Sequence, residues 1–379
     1  MKLFIYAIIF FSFFDLFTQL PVMSTFAISL GATSFLTGLA VGIYSLSNTF
    51  GNIIAGILTD RRGPYHILII GLLTTGITLI GYHLAYDAYS LLIVRFIHGL
   101  VAGLIVPAAF TYLANTSTTK RGKSSAISGA FVGIAAIIGP AFSGIMASRI
   151  SVPFVFTVTA VAMLLLGSLA YFMLRIPIAT EKKDVKLVDN RYFFSNPNIV
   201  KAFSGAFFLM FSQGVIAYLL PVKVQLLGYD SRLAGTLLST FGIIAVLVFI
   251  TPINRIFDKI KPLFTSALGI GLMGISQLII SLASDQTILY VAMMVYGIGF
   301  GLLFPSLNSL LIDATEVGTR GKAYGYFYAF FSIGVVAGSI TLGFLDLSLT
   351  ASFALTGCIL LLFALFTLLP FQTKNHAAH

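Results

Sequence analysis

Asp15 lies inside an apolar run that begins at Leu3 and continues past Phe26, with Gln19 one helical turn further on. A carboxyl withdrawn from water favours its protonated form, so an acid placed there can take up and release a proton; a structural aspartate paired with an arginine is the alternative. Arg95, inside another apolar run, is a charge whose insertion costs about 2.5–3.5 kcal/mol at bilayer depth. It is retained where it faces a cavity or a partner, unless its stem carries the head group back to the nearer membrane surface. If the guanidinium reaches Asp15, the two make a proton-coupling pair. His98, one turn after Arg95, reads as a hydrogen-bonded helix residue. Gln19, Gln213, Tyr218, Tyr296, Asn308, Tyr324 and Tyr328 are candidate substrate-cavity residues, and each alone could equally bind helix to helix. One cysteine, Cys358, makes no internal disulfide, and five scattered histidines offer no metal-ligand spacing, so no metal and no cofactor are expected. No G-x-x-x-x-G-K-S/T loop is present, so energy must come from a gradient rather than a nucleotide.

These residues sit in a chain of 379 residues, 58% hydrophobic and 9% charged, against about 25% charged in an average soluble domain. The composition excludes a soluble enzyme, a disordered chain and a coiled coil, and no polar segment is long enough to fold a catalytic domain. An all-α integral membrane protein is expected. About 20 apolar residues cross the hydrocarbon, and breaking the chain at its polar and Gly/Pro-marked turns yields twelve runs: 3–29, 34–58, 66–86, 89–115, 123–148, 152–174, 199–227, 232–252, 262–283, 287–314, 322–345 and 349–370. With the N-terminus inside, eighteen of the twenty-two Lys and Arg fall on the cytoplasmic side, as positive-inside retention requires. Both termini are then cytoplasmic. The net charge of +10 follows from topology and anionic lipid, without nucleic acid.

The chain repeats itself. VRFIHGLVAGLIVPAAF, from Val94, aligns with AMMVYGIGFGLLFPSLN, from Ala292, so that Gly99, Gly103 and Pro107 fall on Gly297, Gly301 and Pro305. Arg121-Gly122-Lys123 matches Arg320-Gly321-Lys322, Asp60-Arg61 matches Asp258-Lys259, and Leu20-Pro21-Val22 matches Leu220-Pro221-Val222, all in the same order. The repeat predicts two pseudo-symmetric six-helix halves, 1–175 and 199–379, joined by a cytoplasmic linker at 176–198. Such halves rock about a binding site near the midplane.

After the second run comes Gly56-Ile57-Leu58-Thr59-Asp60-Arg61-Arg62-Gly63-Pro64. It resembles the loop between helices two and three of the major facilitator superfamily, G-x-x-x-D-R/K-x-G-R-R/K, matching at Gly56, Asp60, Arg61 and Gly63 and departing at Pro64 and Tyr65. The resemblance implies a conformational latch for the outward-facing state. Arg95 with Gly99 and Gly103 resembles the superfamily's intramembrane arginine followed by a glycine track. GAFVGIAAIIGPAFSG, from Gly129, resembles the antiporter motif G-x-x-x-G-P-x-x-G-G: Gly139, Pro140 and Gly144 match, while Ala135 and Ser143 replace glycines. Pro140 should bend its helix and the small residues allow close packing, making a hinge or seal between the halves. Phe14-Asp15 through Pro21 resembles the first helix of drug/proton antiporters.

The chain is therefore identified as similar to the twelve-helix bacterial drug/proton antiporters of the major facilitator fold. That resemblance implies a proton-coupled exporter of small amphipathic or hydrophobic compounds, of the multidrug-efflux type, working by alternating access as a monomer in the cell inner membrane. Its partners would be a small-molecule substrate, protons and membrane lipid. Thirty-six Phe and sixteen Tyr suit hydrophobic compounds, cations included. A dedicated metabolite or lipid exporter, or a proton-coupled uptake symporter, would share fold and proton site.

Overall fold

The computed structural model describes residues 2–116, 121–174, 190–250, 260–315 and 320–369. Among them the chain is helical apart from short turns. In order the helices are α1 (Lys2–Thr18), α2 (Met23–Ser29), α3 (Ser34–Arg62), α4 (Pro64–Ile80), α5 (Ala88–Ala102), α6 (Ile105–Thr116), α7 (Arg121–Arg149), α8 (Val152–Met173), the short α9 (Asn190–Ser195), α10 (Pro197–Leu226), α11 (Ser231–Ile250), α12 (Pro262–Leu282), α13 (Gln286–Asp313), α14 (Arg320–Leu345) and α15 (Leu349–Leu368). By length and composition eleven spans can cross a membrane, and α1 with α2, bent by 48° at their junction, makes a twelfth. Most of the linker at 176–198 lies outside the described residues, as do Asp258 and Lys259; its end forms α9, whose Phe193 is buried.

Helix starts are written in capping residues. At one end of the bundle Thr33 accepts from the Leu36 amide at 3.3 Å, Ser151 from Phe154 at 3.3 Å and Ser348 from Ala351 at 3.2 Å. Asp87 accepts from Ser90 at 2.7 Å and Asp285 from Thr287 at 2.7 Å. Each bond satisfies an amide that the first helical turn leaves without a partner. Asp87 and Asp285 occupy equivalent places in the repeat, and the side-chain and backbone bonds from Ser90 hold the Asp87 carboxyl below its ordinary range.

The repeat is not carried through to an identical backbone. In the first half the opening span breaks between Thr18 and Met23, and the fourth between Ala102 and Ile105. Their counterparts α10 and α13 run unbroken through Pro221 and Pro305. Proline alone therefore does not break the first span. At the break Thr18 Oγ1 and Gln19 Nε2 both donate to the Asp15 carbonyl, at 2.8 and 3.0 Å, and Leu219 stands opposite Gln19 in the repeat. Pro140 also lies inside a continuous helix, α7.

Two seams join the halves, and both are tight at one end only. That end carries the turns before α3, α5, α8, α11, α13 and α15, and is called the outer end after the charge pattern. There α3 meets α14 so closely that a β-carbon at Gly343 would stand 2.7 Å from the Ser34 carbonyl and one at Gly42 2.7 Å from Ser339 Oγ. Along the other seam α7 meets α11: a β-carbon at Gly144 would lie 2.5 Å from the Ser231 carbonyl, Ser231 Oγ donates to the Gly144 carbonyl at 3.1 Å, and Ser239 Oγ donates to Ile137 O at 2.6 Å. Toward the opposite, inner end, Gly56 of α3, Gly129 of α7 and Gly325 of α14 each have no atom within 4 Å of such a β-carbon. Between the two ends the α7–α11 contact loosens, a β-carbon at Gly242 standing 3.2 Å from Ala136 O and one at Gly133 3.4 Å from Val246 Cγ2, so the described seam helices pack most closely at the outer end and part toward the inner end.

Candidate functional site

The break in the first span turns Gln19 toward α5, and α5 presents Arg95 and His98, one turn apart, to α1 and α3. Asp15, Gln19, Arg95 and His98 are all buried, the most exposed by 3%. His98 Nε2 lies 3.1 Å from Asp15 Oδ2, and His98 Nδ1 lies 3.0 Å from the Tyr82 hydroxyl. Two assignments with a neutral imidazole satisfy both bonds, beside the ion pair in which an imidazolium donates to the carboxylate and to the tyrosine oxygen. An ionised Asp15 accepts from Nε2–H while Nδ1 accepts from the tyrosine, or a protonated Asp15 donates to Nε2 while Nδ1–H donates to the tyrosine oxygen. The two differ by one proton and share the same heavy-atom positions. Asp15 Oδ1 is buried with no hydrogen-bond partner in the structure, so one carboxylate oxygen remains available.

Arg95 does not snorkel. Nε donates to Ala40 O at 2.7 Å, one terminal nitrogen to Val41 O at 3.1 Å, and the other to Gln19 Oε1 and to the Tyr82 hydroxyl, the latter at 3.5 Å. The guanidinium carbon sits 5.0 Å from the centre of the Tyr44 ring, a cation–π distance. Five rigid donors fit these acceptors in a way a single ammonium would not. Arg95 turns toward Asp15 and is linked to it by two indirect paths: through Tyr82 and His98 to the carboxyl, and through Gln19 to the Asp15 carbonyl. The arginine and the acid thus belong to one closed polar ring, and His98 is the group that touches the acid.

A second polar cluster occupies the other half without any charge. The Tyr296 hydroxyl donates to Gln213 Oε1 at 3.1 Å and shares a hydrogen bond with the Ser212 hydroxyl at 3.0 Å, and Gln277 Nε2 donates to Ser212 Oγ at 2.9 Å. Tyr296 is the repeat equivalent of His98. That correspondence was the available signal for His98, since the same register places a buried polar group against the first span of each half. Tyr44 and Tyr82 carried no such signal inside their apolar runs.

Of the cavity candidates, Gln19 belongs to the charged ring, Gln213 and Tyr296 to the neutral cluster, and Tyr218 to the outer seam, where its hydroxyl donates to Ser34 O of the opposite half at 3.0 Å. Asn308 turns its amide onto Phe304 O of its own helix at 2.9 Å. Tyr324 and Tyr328 stack at 6.3 Å beside Phe327 and Phe331, and Tyr328 is 53% exposed. In the latch segment Gly63 has φ +80°, a conformation open to glycine at little cost, which lets α3 end and α4 begin with a single residue between. Arg61 is exposed, and the Asp60 side chain lies outside the described residues. In the hinge segment Gly139 abuts α1, its β-carbon position 3.0 Å from Phe17 Cβ and 3.4 Å from Phe14 O.

Apolar spans joined at one end and parted at the other, with ionisable groups buried inside one half, define a polytopic membrane transporter. The chain belongs to the Major Facilitator Superfamily, which it matches over residues 5–316 and again over 202–378. It is 26% identical to the multi-drug resistance efflux pump PmrA of Streptococcus pneumoniae over 93% of this chain and 91% of that protein. It is also 26% identical to the multidrug resistance protein MdtG of Yersinia enterocolitica, over 79% and 74%, and 24% identical to an uncharacterized MFS-type transporter of Methanocaldococcus jannaschii, over 86% of each. In fold it resembles the nucleoside transporter NupG, with a TM-score of 0.82, 14% identity and 97% of each chain covered. A bacterial homologue of the lysosomal transporter Spinster, solved inward-facing and unoccupied, aligns with a TM-score of 0.78 at 14% identity, over 97% of this chain and 94% of that one.

Proposed function

We propose that the protein is a proton-coupled exporter of small amphipathic or hydrophobic compounds that works by alternating access between halves 1–175 and 199–379. It would sit in the cytoplasmic membrane as a monomer, with the Lys/Arg-rich loops inside, which makes the arrangement described above the inward-facing one. The separate family match over 202–378 supports the two-part division, and the names of PmrA and MdtG support efflux.

The observation that carries proton coupling is the Asp15–His98 pair: a fully buried carboxyl with one oxygen on a histidine and the other unpartnered. In this reading an outward-open protein takes a proton at Asp15, the outer seams close, and the proton leaves to the inner side while substrate travels the other way. His98 and Tyr82 hold the acid in both proton states, and Arg95 supplies the compensating charge without neutralising it by direct contact. The aromatic side chains of α13 and α14, Phe300, Phe304, Tyr328 and Phe331 among them, offer apolar and π surface to an amphipathic substrate. Gly56, Asp60, Arg61 and Gly63 act as the latch of the opposite, outward-facing state. Gly56 standing in open space here agrees with a latch that is disengaged.

The test is transport in proteoliposomes under an imposed pH gradient, with a panel of unrelated compounds, for wild type and Asp15→Asn. The amide is close in shape to the protonated acid, so the variant should fold and bind substrate while losing uphill export. Full gradient-driven export by Asp15→Asn would refute proton coupling at this residue. Transport of one compound only, or accumulation on the substrate side with the proton flow, would select the dedicated exporter or the symporter instead.

A further inference from the structure

At the outer end a cavity of about 350 Å³ lies between the halves. The first half contributes Ile28, Thr33 and Thr37; the second contributes Tyr218, Leu342 and Asp346. Thr37 and Leu342 are buried and form its floor, while Ile28, Thr33 and Asp346 are exposed at its rim, so the cavity opens to the surface. One wall is fastened across the halves by the Tyr218 hydroxyl, which donates to Ser34 O at 3.0 Å. Its volume lies at the small end of ligand sites, about 300–1,000 Å³.

Asp346 is the one formal charge lining this space, and its chemistry is not explained by its place in the backbone. It follows the last residue of α14 with φ +46°, the left-handed position that ends many helices and that Gly or Asn fill most readily. A carboxylate there adds to the negative end of the helix dipole and is electrostatically unfavourable. Asn would serve the backbone without that cost. Among the described residues no cation stands within ion-pair distance of Asp346. The starts of α3 and α15 border the same space, but Thr33 and Ser348 occupy amides of their first turns at 3.3 and 3.2 Å, which leaves the carboxylate as the dominant charge.

We propose that this cavity binds small organic cations with an apolar body, the charge held by Asp346 and the body by Tyr218, Leu219 and Leu342. Because both halves form its walls, an occupant stabilises the arrangement with closed outer seams and opposes outer opening, by the differential affinity that any state-selective ligand exerts. The site faces the outer surface and is distinct from the Asp15 ring. It does not depend on proton coupling or on the direction of transport.

The experiment uses the full-length protein in lipid nanodiscs and titrates benzyltrimethylammonium, with N,N-dimethylbenzamide as a neutral ligand of similar size. Asp346→Asn keeps the left-handed backbone preference and removes only the charge. Wild type should bind the cation saturably and the neutral amide much more weakly. Asp346→Asn should weaken cation binding about fivefold, the scale of one partly exposed ion pair, while Asp15→Asn should leave it unchanged. Spin-label distances across the outer end should narrow when the cation is added to wild type, and Asp346→Asn should need about fivefold more cation for the same change. Absence of saturable binding, equal affinity in Asp346→Asn, equal affinity for the neutral amide, or loss in Asp15→Asn alone would each overturn the proposal, the last by placing the cation at the central network.

Discussion

Gly144 offers a direct measure of how tightly the outer seam is built. A methyl group added there would meet only backbone: Ser231 O at 2.5 Å, Gly235 Cα at 3.0 Å and Gly235 N at 3.1 Å, all on α11 of the opposite half. No flexible side chain can move aside, so α7 and α11 must separate by several tenths of an ångström. Overpacking of this kind costs about 1–3 kcal/mol, and the cost exists only while the seam is closed. The gain of about 1 kcal/mol in helix propensity from Gly to Ala applies in both conformations and cancels. Gly144→Ala should therefore move the equilibrium between closed and open outer ends about 5- to 150-fold toward open. Gly271→Ala in α12, whose added methyl would make only ordinary contact with Ala364 Cβ at 3.8 Å inside the second half, is the matched control and should leave the equilibrium where it is. Spin labels at Tyr86 and Leu282, exposed near the outer end of each half, in a Cys358→Ser background, would report the change as a longer distance population. An unchanged distribution in folded Gly144→Ala, or an equal shift in Gly271→Ala, would refute the seam as the element that keeps the outer side shut.

Two further substitutions address the charged ring. Arg95→Ala removes the donor to buried Gln19 Oε1 and the additional hydrogen bonds to the Ala40 and Val41 carbonyls of α3, at about 1–3 kcal/mol for a buried group left unsatisfied, so thermal unfolding in detergent should occur several degrees lower; an unchanged melting temperature would mean that water replaces the guanidinium without loss. His98→Gln can still bridge Asp15 and Tyr82 by hydrogen bonds but cannot titrate, so the pH dependence of substrate affinity between about pH 5 and 9 should be displaced while folding is kept, and a profile that stays in place would reduce His98 to a packing residue.

The family, the span count and the small-residue segments were legible because they depend on local composition and spacing. Twelve apolar runs follow from hydrocarbon thickness, and Gly139, Pro140 and Gly144 announce a close-packing helix whatever its neighbour. The partner of Asp15 was not legible, because it is decided by rotation and offset between α1 and α5. Arg95 and His98 lie three residues apart on one face of α5, and which of them meets the acid depends on about one turn of relative translation. The longer arginine reaches past it to Ala40, Val41 and Gln19, where five donors find acceptors, and the shorter imidazole meets the carboxyl. The break in the first span was hidden for a related reason: Pro21 marks a helix breaker, yet Pro221 is accommodated inside an unbroken α10, so proline alone does not announce it. The same limit applied to Tyr296 and Gln213, whose hydrogen bond to one another depends on the offset between α10 and α13.

The hinge segment ties these features together geometrically. Gly139 and Gly144 are five residues apart, which at 3.6 residues per turn separates them by about 140° around α7. One face is pressed against Phe14 and Phe17, the residues on either side of Asp15 in α1, and the other against Gly235 and Ser231 of α11 in the opposite half. Both contacts are glycine to backbone or Cβ, so neither has a long side chain to absorb a displacement. A change in the position of α1 as Asp15 gains or loses a proton would have to be met by α7 as a body, and α7 in turn forms half of an outer seam. In the proposed cycle this makes α7 the bistable element that both the proton site and the seam bias, as coupling between sites requires. The requirement falls on one half only: the Tyr296 cluster is neutral and its spans are unbroken, so the second half supplies a fixed partner against which the titrating half can move.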